Sequence, residues 1–118
     1  MSYVNKPGKT SSWRQMVIRQ QVSDVIAYGK IETTFTKAKE TQKHVDRIIT
    51  IAKKNNLASK RQILSIVKNT KKMTRTDLLK KAEEIAKKYQ QRKGGYTRVL
   101  RLGKRLGDRT ETAILELV

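Results

Sequence analysis

The residues best equipped for chemistry in this chain are arginines and lysines, and many lie in the stretch "QQRKGGYTRVLRLGKRLGD", residues 90–108. Its composition predicts a β-strand followed by a turn bounded by glycines. Arg98, Arg101, Lys104 and Arg105 fall on both faces of that strand, with few acids nearby. Because the guanidinium group binds phosphate in a bidentate manner and stacks on bases, this pattern favours binding of a polyanion.

Two glycines precede the predicted strand. Gly94 and Gly95 follow a helical pattern and are flanked by Arg92, Lys93 and Arg98. They predict the end of a helix and the start of a strand. Their exposed amides would also let a phosphate backbone approach closely. A nucleotide-binding loop needs more glycines and a following helix, so that interpretation is disfavoured.

The whole chain is strongly basic. It has 118 residues, with 28 Lys+Arg against 10 Asp+Glu and a net charge of +18 at pH 7. A polyanion would relieve the resulting self-repulsion and release its own counterions on binding. Nucleic acid is therefore the expected partner. A solvated basic surface without a specific partner and an anionic membrane are the alternatives.

Residues for catalysis or metal binding are scarce. The single histidine, His44, is expected on the exposed side of a helix, and the acids are scattered beside lysines and arginines. No carboxylate pair is set for acid–base chemistry. The absence of cysteine excludes disulfides and thiolate metal sites. We therefore expect no enzyme activity, metal, cofactor or small-molecule substrate.

The amino-terminal "MSYVNKPGKTSSW" lacks the apolar run of a signal peptide. No segment approaches the roughly 20 apolar residues of a transmembrane helix. The expected compartment is the cytoplasm, which agrees with the lack of cysteine.

Hydrophobic periodicity predicts four helices. A capping box of Ser12 and Gln15 would begin the first helix, Gly29 would end it, and Thr76 would cap the fourth. The asparagines of "KKNN" would end the second helix and cap the third. The apolar faces of the helices, in chain order, are Ile18, Val22, Val25 and Ile26; Ala38, Val45, Ile48, Ile49 and Ala52; Ile63, Ile66 and Val67; and Leu78, Ala82, Ile85, Ala86 and Tyr89.

Three strands are predicted, at residues 31–34, at about 96–102, and in the terminal "TAILELV", which is apolar enough for a central position. The order α-β-α-α-α-β-β indicates a single α+β domain over residues 1–118, in two layers, with helices on one face of a small sheet. Residues 1–10 would form an irregular basic arm, and residues 94–118 a carboxy-terminal hairpin. The open face of the sheet and the hairpin tip would present the strand's cations to the partner.

Two regions form the candidate nucleic-acid surface, namely the arm with the first helix and the hairpin with its preceding glycines. Aromatic residues make up only 5% of the chain, which predicts phosphate-dominated binding rather than a platform of stacked rings. Two interpretations of Tyr96 remain open: it stacks on a base, or it lies in the core. The candidate residues are Lys9, Arg14, Arg19, Arg92, Lys93, Gly94, Gly95, Tyr96, Arg98, Arg101, Lys104, Arg105 and Arg109.

Three stretches together resemble the bacterial large-subunit ribosomal protein L17 family: "GKIETTFTKAKE" (residues 29–40), "RKGGYTRVLRLGKRLGD" (residues 92–108) and the terminal "AILELV". Their order and spacing match that family over nearly the whole chain. The resemblance implies a structural component of the large ribosomal subunit, bound to large-subunit ribosomal RNA and to neighbouring ribosomal proteins. It implies a place on the outer surface near the polypeptide exit tunnel.

The same resemblance implies a two-layer fold in the predicted order, with a small mixed sheet of three strands. The residues that it assigns to RNA contact are Arg92, Gly94, Gly95, Tyr96, Arg98, Arg101, Lys104 and Arg105.

Three other functions compete with this interpretation. A sequence-tolerant DNA-compacting protein would be a dimer with an exposed apolar interface, and the sequence offers no spare apolar stripe. A membrane-surface chain needs an unpartnered amphipathic helix with interfacial aromatics, but the apolar helix faces here are committed to a core. An RNA-modifying enzyme needs acids, bases or nucleophiles that this chain lacks.

Overall fold

The computed structural model of the chain describes residues 11–107 and 110–118. The predicted order α-β-α-α-α-β-β is confirmed. The expected arm of residues 1–10, with Lys9, and the candidate Arg109 lie outside the described residues. The elements are α1 (Ser11–Tyr28), β1 (Lys30–Thr34), α2 (Phe35–Lys54), α3 (Leu57–Ile66), α4 (Arg75–Lys88), β2 (Thr97–Lys104) and β3 (Glu111–Leu117).

The sheet has the order β1-β3-β2, so the predicted central position of β3 is confirmed. Both neighbours pair with β3 in an antiparallel manner, and the mixed sheet implied by the resemblance is therefore wrong. The tight connection between β2 and β3 requires an antiparallel pair. The three helices between β1 and β2 return the chain to the end of the sheet at which β1 began, which orients β2 like β1.

One hydrophobic core lies between the helices and one face of the sheet. The apolar faces predicted for α2 and α4 are fully buried, and Val22, Val25 and Ile26 of α1 have no exposed surface. Ile18 and Ile66 pack at the margin of this core. Ala113 and Leu115 are the buried residues of β3, which identifies the side of the sheet that the helices cover.

Local hydrogen bonds explain where the helices begin and end. Asn55 ends α2 in a left-handed conformation, and Asn56 caps α3, as predicted. The predicted cap of α4 is wrong, because Thr74 rather than Thr76 occupies that position. A capping box needs a side-chain acceptor three residues later, which Asp77 provides for Thr74. Ser12 is likewise not a cap, since α1 already includes it.

Polar contacts at the start of β2 fix this strand against α2. The Thr97 hydroxyl donates to the Asp46 carboxylate at 3.0 Å, and Gln42 donates its amide N–H to the Thr97 carbonyl at 3.3 Å. Burial raises the pKa of the Asp46 carboxyl, and the bond from Thr97 lowers it in part. These contacts set the strand's rotation and therefore decide which of its arginines project to each face.

Candidate nucleic-acid interface

The two arginines in the middle of β2 project from opposite faces of the sheet. Residues that are directly opposite in an antiparallel pair share a face, and neighbours along a strand alternate. Arg101 is opposite the buried Ala113, so it lies on the helix side. Arg98 is opposite Glu116 and lies on the open side.

The open face of the sheet is balanced in charge. Arg98 forms an ion pair with Glu116, with 2.7 Å between Nε and Oε1. On the other side of β3, Lys30 of β1 is directly opposite Glu116, and Glu32 is opposite Ile114 on the same face. A surface with two cations and two carboxylates gives little net attraction for phosphate. This arrangement argues against the expectation that the open face as a whole presents its cations to a polyanion.

Apolar side chains also occupy the open face. Leu100 is opposite Ile114, and its side chain is 43% exposed. Leu102 is half exposed at a β-bulge between Arg101 and Gly103. The sequence interpretation found no spare apolar stripe, and this point is corrected here. In β2 the leucines alternate with charged residues, as in any strand with one buried face. This alternation defines two faces of the strand, but it does not show which face the helices cover, so the exposed leucines could not be recognised from the sequence.

Cations and aromatic rings converge where the hairpin meets the first turn of α2. Arg101 places its guanidinium carbon 4.1 Å from the centre of the Phe35 ring, and Lys39 lies 5.8 Å from the same ring. Lys37 lies 5.5 Å from the ring of Trp13 in α1. We call these five residues the first-turn cluster. It has two parts at the amino end of α2: Lys37 meets α1 at Trp13, and Lys39 meets the hairpin at Phe35 and Arg101. Because positions two residues apart on a helix differ by roughly 200°, the two parts lie on different sides of this first turn.

The electrostatics of the first-turn cluster favour an anion. The amino end of a helix carries a partial positive charge, and α2 has no acid in its first turn to offset it. Glu111 pairs with Arg101 at 3.1 Å and offsets one of the three cations, whereas Lys37 and Lys39 have no carboxylate within ion-pair distance among the described residues. A lysine near the amino end of a helix is repelled by the helix dipole and lowers the stability of the fold. The positions of Lys37 and Lys39 are therefore better explained by binding of an anion than by a contribution to stability.

A second candidate region is the loop of residues 92–95, which we call the glycine loop. Lys53 donates to the Arg92 carbonyl and, at 2.7 Å, to the Tyr96 hydroxyl. Arg92 itself donates to the Gly95 carbonyl at 3.0 Å. Gly95 has φ +64°, which a residue with a Cβ adopts only with strain. The loop is thus held in one shape, and its exposed Lys93 and Gly94 are left facing solvent.

Tyr96 lies in the core, so the stacking interpretation of its ring is corrected. Its side chain is 1% exposed and packs against Tyr89 with 5.6 Å between ring centres. Its hydroxyl donates to the Arg92 carbonyl at 3.2 Å. A buried ring cannot stack on a base, and Tyr96 therefore supports the glycine loop from beneath.

The other candidates are distributed along these regions. Arg14 is half-buried in the first turn of α1, and Arg19 is exposed about 7.5 Å farther along that helix. Lys104 and Arg105 are exposed where β2 ends.

Lys37, Lys39 and Lys53 are not among the candidates that the sequence analysis named. Lys37 is the third residue of α2 after its cap, Thr34. A lysine in the first turn of a helix that has no acid there could have indicated an anion-binding position.

Metal binding and membrane spanning were two further possibilities for the part of the chain that the structure describes. In residues 11–107 and 110–118, no three His, Cys, Asp or Glu side chains are grouped so that they could hold a metal ion. The helices of this part of the chain are all too short or too polar to cross a membrane.

Comparison with known proteins identifies the family. The family described as "Ribosomal protein L17" matches residues 17–118. The chain is 61% identical to the large ribosomal subunit protein bL17 of Malacoplasma penetrans, over 100% of both chains. It is 54% identical to that of Mycoplasma pneumoniae, over 99% of this chain and 95% of the relative. For the protein of Mesoplasma florum the identity is 43% over 100% of both.

The matched region contains both strands of the hairpin, the glycine loop and the first turn of α2. The family is one of structural ribosomal proteins rather than enzymes, in agreement with the interpretation of the sequence. The chain belongs to the ribosomal protein L17 family.

Proposed function

We propose that this chain is a structural constituent of the large ribosomal subunit and binds large-subunit ribosomal RNA. The single observation that carries the RNA-binding assignment is the first-turn cluster, where cations of α2 and β2 lie beside aromatic rings of α1 and α2 at the positive end of α2. The names of the relatives support the assignment to the large subunit.

The contacts would be made mainly to phosphate. Lys39 and Arg101 lie together at the Phe35 ring, and Lys37 projects from another side of the same helical turn, so the three cations fit different phosphates of folded RNA around the amino end of α2. Trp13 is 38% exposed beside them and offers a ring to an unpaired base. The glycine loop adds Lys93 and the exposed backbone of Gly94 at the other end of β2. Lys104, Arg105, Arg14 and Arg19 extend the first surface.

We also propose the place that the family resemblance implies, on the outer surface of the subunit near the polypeptide exit tunnel, with other ribosomal proteins as neighbours. The compartment is then the cytoplasm. The apolar open face of the sheet, with Leu100 and Ile114, is suited to a protein neighbour rather than to RNA.

Sedimentation of the tagged chain from a cell lysate tests this function. We expect the chain to travel with the large subunit and to stay there after a high-salt wash, because burial in folded RNA resists salt better than exposed charge pairs do. An electron-microscopy map of those subunits would then locate it relative to the exit tunnel. Spreading through the gradient, loss in the wash, or sedimentation with chromosomal DNA would contradict the proposal.

Replacing two lysines of the first-turn cluster should separate binding from stability. Lys37→Gln/Lys39→Gln is expected to lower the affinity for large-subunit ribosomal RNA roughly 10-fold or more, because the loss of even one charge-assisted contact costs about 1.5–3 kcal/mol. The same change should leave the free energy of unfolding unchanged or raise it by about 0.3–1 kcal/mol, because Lys37 opposes the helix dipole. Filter binding and chemical denaturation measure the two effects.

The matched control is Lys43→Gln/Arg47→Gln, which removes two exposed cations from the middle of the same helix. We expect a much smaller change in RNA affinity from the control pair. Equal losses from both pairs would mean that only net charge matters, and the first-turn cluster would then have no special role.

A further inference from the structure

A cleft on the side of the molecule away from the first-turn cluster has no part in the function proposed so far. It lies between the carboxyl-terminal half of α1 and β1, with a volume of about 480 Å³. That volume is in the range of ligand sites in proteins and is ample for a nucleobase. Its lining residues are Gln20, Gln21, Asp24, Tyr28, Ile31, Glu32 and Lys71.

The interior of the cleft combines an aromatic ring with hydrogen-bond acceptors. Tyr28 is half exposed, although the apolar residues just before it on α1, Val22, Val25 and Ile26, are fully buried. The Asp24 carboxylate accepts from Gln20 at 3.4 Å and has no cation within ion-pair distance among the described residues. Burial raises the pKa of the Asp24 carboxyl, and the hydrogen bond from Gln20 lowers it in part. Such an acceptor gains most from a ligand with N–H donors.

The rim of the cleft is basic. Lys71 lies on it, and Lys72 places its ammonium group 5.5 Å from the centre of the Tyr28 ring. Both belong to the loop of residues 67–74 between α3 and α4. Residues 47–76 contain nine lysines and arginines and no acid, so the loop side of the rim is positive, whereas the carboxyl groups of the cleft, Asp24 and Glu32, lie on the α1 and β1 sides. A phosphate chain passing the cleft would therefore be attracted to its rim.

Hydrogen bonds hold this loop in a defined shape. The Lys68 N–H donates to the Ser23 hydroxyl at 2.8 Å, and the Thr70 N–H donates to the Met73 carbonyl at 2.8 Å. The Lys72 ammonium donates to the Ala27 carbonyl at 3.4 Å at the end of α1. The backbone of the loop and the Lys72 ammonium are thus positioned before any ligand arrives, which reduces the entropy lost on binding.

We propose that this cleft binds an unpaired base of RNA, with guanine preferred, while Lys71 and the neighbouring cations of the loop bind the adjacent phosphates. The inference rests on the proposed RNA-binding function and adds a second contact to it. Guanine presents N1–H and the N2 amino group side by side, and a carboxylate such as that of Asp24 accepts both. Unpaired bases are commonly recognised through stacking and their Watson–Crick edges, and Tyr28 supplies the ring.

A basic side chain from a neighbouring protein would also suit Asp24. Lys71 and Lys72 at the rim of the cleft disfavour such a ligand, because they would repel a basic peptide and attract phosphate. The contact is separate from the first-turn cluster. Trp13, beside Lys37, marks the first-turn cluster on α1, and Ala27, which accepts from Lys72, marks the cleft. These two positions are about 21 Å apart along the helix.

Because the chain has no cysteine, a cleavage reagent can be tethered to a single introduced thiol. Lys71→Cys and Lys104→Cys would each carry an iron chelate in large subunits purified from cells that produce the variant. We expect hydroxyl-radical cleavage of the ribosomal RNA from both positions, at different nucleotides. Cleavage from position 104 alone, or at the same nucleotides from both, would overturn the cleft as a separate RNA contact. Cleavage from neither would overturn the proposed function itself.

The base preference is tested by probing unpaired guanines with kethoxal, which reacts at N1 and N2. We expect one guanine near the cleavage sites of position 71 to be protected in subunits with the unchanged chain and reactive with Asp24→Asn. Glu40→Gln, an exposed acid on α2, should leave it protected. Asparagine has nearly the shape of aspartate and removes a half-buried charge, so folding should tolerate it. A guanine equally reactive in all three kinds of subunit would overturn the preference for guanine.

Discussion

Replacing Arg101 with glutamine is expected to lower the affinity for large-subunit ribosomal RNA roughly 10-fold or more, whereas the same change at Arg98 should have only a small effect. The two residues lie on one strand, and each pairs with a glutamate of β3. Arg101 projects into the first-turn cluster, while Arg98 projects to the charge-balanced open face. A lost charge-assisted hydrogen bond costs about 1.5–3 kcal/mol, and each tenfold change in affinity corresponds to about 1.4 kcal/mol.

Arg98→Gln is therefore the matched control for Arg101→Gln. Their side chains are similarly exposed, at 58% and 64%, so solvent screens both ion pairs and each contributes about 1 kcal/mol or less to stability. Titrations at several salt concentrations should give a salt dependence that is shallower by about one counterion for Arg101→Gln only. A larger loss of affinity from Arg98→Gln would instead identify the open face as the RNA surface.

Periodicity was sufficient for most of the fold. The apolar faces of α2 and α4 were predicted residue by residue, because a stripe at helical spacing fixes the side that is buried. The central position of β3 also followed, since a strand that is apolar on both faces requires neighbours on both sides. The cap of α4 was predicted two residues late. The reciprocal bonds of Thr74 and Asp77 decide that cap, whereas a hydrophobic pattern alone does not.

The candidate site was predicted less completely, for a physical reason. In a strand with charges on both faces, alternation separates Arg98 from Arg101 but does not tell which of them the helices flank. Their assignment depends on Thr97, which Asp46 ties to α2 from 51 positions away in the sequence. The role of Lys37 depends on Trp13, another contact between distant parts of the chain. Contacts of this kind appear only when the elements pack together.

Replacing Tyr96 with alanine should lower the free energy of unfolding by about 3–5 kcal/mol, the usual cost of removing a fully buried aromatic ring. Small domains are stable by only about 5–15 kcal/mol, so this loss would be severe. Tyr28→Ala, which removes a half-exposed ring, should cost far less. Chemical denaturation followed by circular dichroism compares the two variants. Similar stabilities for both would contradict the placement of Tyr96 in the core.

Tyr96→Phe then isolates the hydroxyl group. This hydroxyl bridges Lys53 and the Arg92 carbonyl, and its loss should cost about 1 kcal/mol of stability and loosen the glycine loop. A ring that stacked on a base would keep its RNA affinity in Tyr96→Phe, because phenylalanine stacks as well as tyrosine. Tyr96 instead acts through the loop, so we expect a modest fall in affinity together with faster hydrogen exchange at Lys93 and Gly94. Unchanged exchange with unchanged affinity would mean that Lys53 alone holds the loop.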